Sequence, residues 1–152
     1  MYHYLLRLTG DRALAEDLTQ EAFTRAFQFW ETFDGGKVRP WLFKVAYNAF
    51  IDTTRKQKRL VHADLRQLDA RSDPHMRAPE QELLDQEAWR AFSEMIATFP
   101  EKQRQVLLLR YYHDLSYDEI ADVLGLTESD VKSSLFRGRR RLRTSWKEET
   151  DR

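Results

Sequence analysis

A chain of 152 residues with 41% hydrophobic and 33% charged side chains is long enough to bury a core, as one domain or as two small ones. Its 25 basic and 25 acidic side chains cancel, so a charged partner has to be sought in the pattern and not in the total. The absence of Cys excludes disulfides and thiolate metal sites and suits a reducing cytoplasm, and no apolar run approaches the roughly twenty residues that span a bilayer.

Residues 2–8 read as the tail of a helix stopped at Thr9 and Gly10, without the long uncharged core of a signal peptide. Asp11 can cap the next helix. There Leu14, Leu18, Ala22, Ala26 and Trp30 recur near every fourth residue and are joined by Phe23, Phe27 and Phe33, which predicts one strongly apolar stripe. The opposite face carries Glu16, Asp17, Gln20, Glu21 and Arg25, and periodicity alone makes it solvent-exposed surface.

Asp34, Gly35 and Gly36 break the pattern, and Pro40 suits the first turn of a third helix. Trp41, Leu42, Val45, Ala46 and Ala49 form its expected core stripe. Lys44, Asn48, Asp52 and Lys56 line up along another face, with Arg55, Lys58 and Arg59 crowding the end. Tyr47 and Phe50 beside this row offer stacking planes to unpaired bases; equally, aromatics there can be core and terminal bases can complement the helix dipole.

Residues 60–80 lose periodicity and gain Asp64, Asp69, Asp73, Pro74 and Pro79, so a linker over 61–79 is expected to separate a domain at 1–60 from one at 80–152. Helical pattern resumes near Glu80 with Trp89, Phe92 and Ile96. Pro100 then opens a helix whose residues 106–109, with Tyr111 and Tyr112, are expected to be buried. By count, residues 1–60 carry ten basic and seven acidic side chains, 61–100 four and eight, and 101–152 eleven and ten.

The C-terminal forty residues hold the most specific signal. Ser116 with Glu119 forms a capping box, and Ile120, Ala121, Val123 and Leu124 supply an apolar stripe. Gly125 permits a left-handed stop, and Thr127 can cap a second helix with Glu128 and Asp130 in its first turn. A small Ala121, a turn at Gly125 and a wedge at Val131 predict a helix-turn-helix. On the second helix Val131, Leu135, Gly138 and Leu142 should face inward, and Ser129, Lys132, Ser133, Phe136, Arg137 and Arg140 outward. Residues 131–147 contain two Lys and five Arg and no acid. Short polar residues at the start with arginines behind them suit base reading in a major groove followed by phosphate clamping.

Chemistry finds no support: His3, His62, His75 and His113 lack ligand spacing, and no phosphate-binding glycine loop or nucleophile motif occurs. No catalytic residue, metal, cofactor or small-molecule substrate is therefore expected.

The order of parts resembles the sigma factors of bacterial RNA polymerase, of the extracytoplasmic-function (ECF) group. AEDLTQEAFTRAF (15–27) is similar to the polymerase-binding helix of region two. FDGGKVRPWLFKVAYNAFIDTTRKQKR (33–59) is similar to the segment that melts and reads the minus-ten element. FPEKQRQVLLLRYYHDLSYDEIADVLGLTESDVKSSLFRGRRRLR (99–143) is similar to region four, which reads the minus-thirty-five element. The resemblance implies an all-helical, two-domain cytoplasmic protein whose partners are core polymerase, promoter DNA and an anti-sigma factor, either soluble or membrane-bound. It implies that Asp17, Gln20 and Glu21 touch basic clamp helices, and that Asn48, Asp52, Arg55 and Lys56, in the row headed by Lys44, face minus-ten DNA. The 34–40 loop would hold a flipped base. Ser129, Lys132, Ser133, Phe136 and Arg137 would face minus-thirty-five DNA, with Arg140 and Arg141 on phosphates. Three departures stand out: a late start that shortens the first helix, Tyr47 in place of a commonly basic residue, and Ser134 in place of a usual Arg, which would remove one phosphate contact. An autonomous helix-turn-helix regulator is the rival reading, but it has no need of the aromatic and basic helix at 41–59. A helical adaptor leaves the basic segment unexplained.

Overall fold

The computed structural model describes residues 1–61 and 80–151, and every regular element among them is helical. The chain divides into two compact units, Met1–His75 and Met76–Arg152. The expected linker at 61–79 lies almost wholly outside the described residues.

In the first unit α1 (Tyr2–Thr9) ends at Gly10, whose φ of 64° is the left-handed stop its sequence called for, and its N–H donates to the Leu6 carbonyl. The Asp11 side chain accepts from the Leu14 N–H at 3.2 Å and opens α2 (Arg12–Gln28). After a 3-10 turn at Trp30–Thr32 comes α3 (Val38–Val61), with Pro40 in its first turn, where no intrahelical N–H bond is lost. α2 packs on both α1 and α3. Ala15, Leu18, Ala22 and Ala26 of α2 and Phe43, Ala46 and Ala49 of α3 are buried, and alanines let the backbones approach closely. Tyr4 of α1 closes the core edge-on to Phe43 at 5.0 Å.

Two expectations need correction here. Phe23 and Phe27 are not in the α2 stripe; Phe27 is 85% exposed. Each follows a buried alanine by one residue, a rotation of about 100° that carries it off the inward face. Trp30 lies beyond the end of α2, where it stacks on Phe33 (5.6 Å) and meets Trp41 edge-on (6.1 Å) while staying largely exposed. On α3 the deepest line runs through Phe43, Ala46 and Ala49, leaving Trp41, Leu42 and Val45 half-buried.

The second unit contains α4 (Glu80–Ile96), α5 (Glu101–Leu107) with a π-helical turn at Leu108–Tyr112, α6 (Tyr117–Leu124) and α7 (Glu128–Thr150). Val106, Leu107, Leu108 and Leu109 are buried as expected, and Trp89 packs edge-on to Tyr112 at 4.5 Å. Tyr111, expected in the core, is 52% exposed. The widened turn adds a residue to the helix and rotates the side chains at its end away from the simple helical register.

Candidate nucleic-acid interface

The helix-turn-helix forms as its local chemistry dictates. Ser116 Oγ accepts from the Glu119 N–H, and the Glu119 carboxylate accepts from the Ser116 N–H at 2.9 Å. Gly125, at φ 66°, ends α6 in the left-handed region, and the Thr127 hydroxyl accepts from the Asp130 N–H at 3.1 Å to start α7. Ile120 and Val123 of α6 and Val131 and Leu135 of α7 are buried between the helices. A Cβ on Gly138 would lie 2.9 Å from Leu107 Cδ1, so a side chain of zero size sets how closely α7 crosses α5.

This packing presents the outer face of α7. Ser129, Lys132, Ser133, Phe136, Arg137, Arg140 and Arg141 are all exposed, and Phe136 is 68% so, a large apolar ring held out among cations. Lys132 Nζ lies 3.6 Å from Glu128 Oε1, a surface pair worth well under about 1 kcal/mol. The Arg141 guanidinium sits 5.9 Å over Phe99. At the head of the helix the Thr127 hydroxyl, and behind it Lys102 at 3.9 Å, holds the Asp130 carboxyl below its usual pKa.

Two α7 residues differ from the sequence reading. Ser134 is only 4% exposed, so this position is used for packing and does not stand as a vacant phosphate contact. Arg139, one of the seven cations, lies half-exposed against two tyrosines. It donates to the hydroxyls of Tyr111 and Tyr117, and these bonds lower the Tyr117 phenol pKa and raise that of the guanidinium. Arg110 lies 5.2 Å over the Tyr117 ring and donates to the Leu115 carbonyl at 2.9 Å, so this cluster ties α7 to α6 and the π turn.

In the first unit Asp17, Gln20 and Glu21 are exposed together on α2. On α3 Asn48, Arg55 and Lys56 are exposed, Lys44 and Asp52 half-exposed, and Tyr47 and Phe50 half-buried beside them. Arg25, which the sequence placed on the outer face without a role, joins the two rows: its Nε donates to Glu21 Oε1 at 2.7 Å and its Nη1 to Asp52 Oδ2 at 2.6 Å. The Asp52 bond is the larger cause of its raised pKa, followed by that to Glu21. In the loop ahead of α3 the Asp34 carboxylate accepts from the Gly36 N–H at 3.0 Å across Gly35, whose φ is 78°. Among the described residues no group of His, Cys, Asp and Glu converges as metal ligands, and no helix is long and apolar enough to cross a membrane.

Comparison with known proteins matches residues 1–60 to the Sigma-70 region 2 profile and residues 89–142 to the Sigma-70 region 4 profile. The chain is 36% identical over 143 residues to the ECF RNA polymerase sigma factor SigM of Bacillus subtilis, covering 94% of this chain and 86% of that one. It is 31% identical to SigW of the same organism, with 94% and 81% covered. Among solved structures it resembles RpoE, in complex with the anti-sigma factor NepR from Bartonella quintana, with a TM-score of 0.73 at 22% identity over 96% of this chain and 89% of that one. It also resembles CnrH, in complex with the cytosolic domain of CnrY, with a TM-score of 0.63 at 21% identity over 92% and 76%.

Proposed function

The chain belongs to the ECF group of the sigma-70 family, the factors that bring promoter recognition to RNA polymerase, and from that premise we propose how the work is divided among its residues. Residues 1–60 act as region two, 61–79 as linker and 80–152 as region four. Asp17, Gln20 and Glu21 dock on a basic surface of core polymerase, where opposite charge steers and orients the approach. Lys44, Asn48, Asp52, Arg55 and Lys56 form the row that meets the opened minus-ten strand, with Tyr47 and Phe50 offering partial stacking planes. On duplex DNA upstream, Ser129, Lys132, Ser133, Phe136 and Arg137 read the minus-thirty-five element, and Arg140 and Arg141 hold phosphates.

The observation that carries this reading is the outer face of α7: seven exposed residues, one aromatic and four cationic, behind a capped helix start. The chain contributes recognition and no chemistry of its own. Two weak modules joined by a linker depend on effective concentration, so the free chain binds promoter DNA poorly and the polymerase sets the spacing between them. The factor works in the cytoplasm, and an anti-sigma factor restrains it, a reading supported by the likeness to RpoE, whose structure is of a complex with the anti-sigma factor NepR. Co-elution with purified core polymerase tests the docking face: the wild-type chain should co-elute, and Asp17→Lys with Glu21→Lys should abolish this without lowering the melting temperature. Normal co-elution of the double variant would overturn the assignment.

A further inference from the structure

Arg25 stands where two surfaces with different partners meet. Its guanidinium bridges Glu21, one turn back on α2, and Asp52, on α3, at 2.7 and 2.6 Å, with the arginine side chain only 26% exposed. Glu21 shares its face with Asp17 and Gln20, and Asp52 shares a row with Asn48, Arg55 and Lys56. The three bridged groups sum to one negative charge, set beside a row whose ligand is a polyanion. A carboxylate there opposes phosphate unless a cation answers it, and one guanidinium divided between two acids answers each only in part.

We propose that Arg25 is a positioning residue that couples polymerase docking to capture of the opened strand. The inference rests on the functional reading above and deepens it. When a basic polymerase surface takes Glu21, the arginine is left wholly to Asp52. The net negative charge beside the row is cancelled, and α3 is braced in the form that receives DNA. In the free chain the same charge disfavours DNA. Docking and strand capture therefore favour one another, and because the coupling is a free energy it acts in both directions.

The test uses the reconstituted holoenzyme with core polymerase at saturation, scoring permanganate reactivity of minus-ten thymines while polymerase affinity is measured separately. Arg25→Gln should lower opening about fivefold or more, within the range of couplings between sites. Asp52→Asn in that background should restore it to within about twofold, because the penalty lies in an unanswered carboxylate. A purely structural brace would not be rescued by removing its second partner. The defect of Arg25→Gln should also shrink as salt is raised, since screening weakens exposed charges. Glu21→Gln should weaken polymerase affinity, and adding Arg25→Gln to it should lower opening at saturation by the same factor as in wild type, because Asp52 is left unanswered in both. Wild-type opening by Arg25→Gln, failure of Asp52→Asn to rescue it, or loss of the Arg25→Gln defect in the Glu21→Gln background would each overturn the coupling alone. A wild-type chain that does not bind core polymerase would overturn the functional reading, and the coupling with it.

Discussion

Lys132 and Arg140 are both exposed cations on α7, yet they lie two turns apart, and that distance separates reading from holding. Lys132 follows the Thr127 cap closely and can reach guanine acceptors, so Lys132→Ala should change which minus-thirty-five base is preferred at a cost of about 1–3 kcal/mol at that position. Arg140→Ala should weaken all sequences alike and flatten the salt slope by about one unit. A holoenzyme binding series over single-base variants at two salt concentrations separates these; a uniform loss with Lys132→Ala and a re-ordering with Arg140→Ala would invert the assignment. Asp114, at φ 54°, is a non-glycine residue in the left-handed region between the π turn and α6. Asp tolerates that conformation and a β-branched residue does not, so Asp114→Val should cost about 1–2 kcal/mol in thermal unfolding, while Asp114→Gly should be nearly neutral. At this scale sequence reasoning located the outward residues of α7 but neither the burial of Ser134 nor the tyrosine partners of Arg139. Arg139 follows Leu135 by four and Val131 by eight, a core-side spacing that its charge concealed. The partner of Asp52 is Arg25, 27 residues away in the chain, a distance across which helical periodicity carries no information.

The elements were legible wherever a local rule fixes them. Gly10 and Gly125 stop helices with positive φ, Asp11, Ser116 and Thr127 cap them, and alternating inward and outward spacing set the facing of α7. The π turn at Leu108–Tyr112 was not legible, because a run of Leu, Arg and Tyr has no breaker to announce an added residue. Nor was the outward turn of Phe23 and Phe27, since one-residue offsets matter more to a helix face than apolar content. The α5–α7 crossing supplies a prediction at this scale. Leu107 is fully buried and meets the Gly138 backbone, so Gly138→Leu should destabilise the second unit by about 1–3 kcal/mol through overpacking. Leu107→Ala in the same chain should recover part of that loss, because it empties the space the new side chain fills. Thermal melts of the two singles and the double check this, and strictly additive losses would show that the two residues do not share a space.

Across the whole molecule, each unit holds one half of the proposed function, with a docking and strand-capturing face on α2 and α3 and a duplex-reading face on α7. The separation explains why a chain of zero net charge can act on DNA: its cations are concentrated at 131–147 of α7 and at 55–59 at the end of α3, two stretches that contain no acid. The division of the chain could be anticipated from the loss of periodicity after Leu60, whereas the joining of α2 to α3 through Arg25 required the tertiary structure. The central claim, that this chain gives core polymerase its choice of promoter, is tested most directly by run-off transcription with purified core polymerase over a library varied in both elements and in their spacing. The result expected is initiation that depends on the chain, concentrates on templates sharing both elements at one spacing, and has no counterpart in DNA retention by the chain alone. Initiation no greater than that of core polymerase by itself, or equal selection of the same DNA without polymerase, would contradict it.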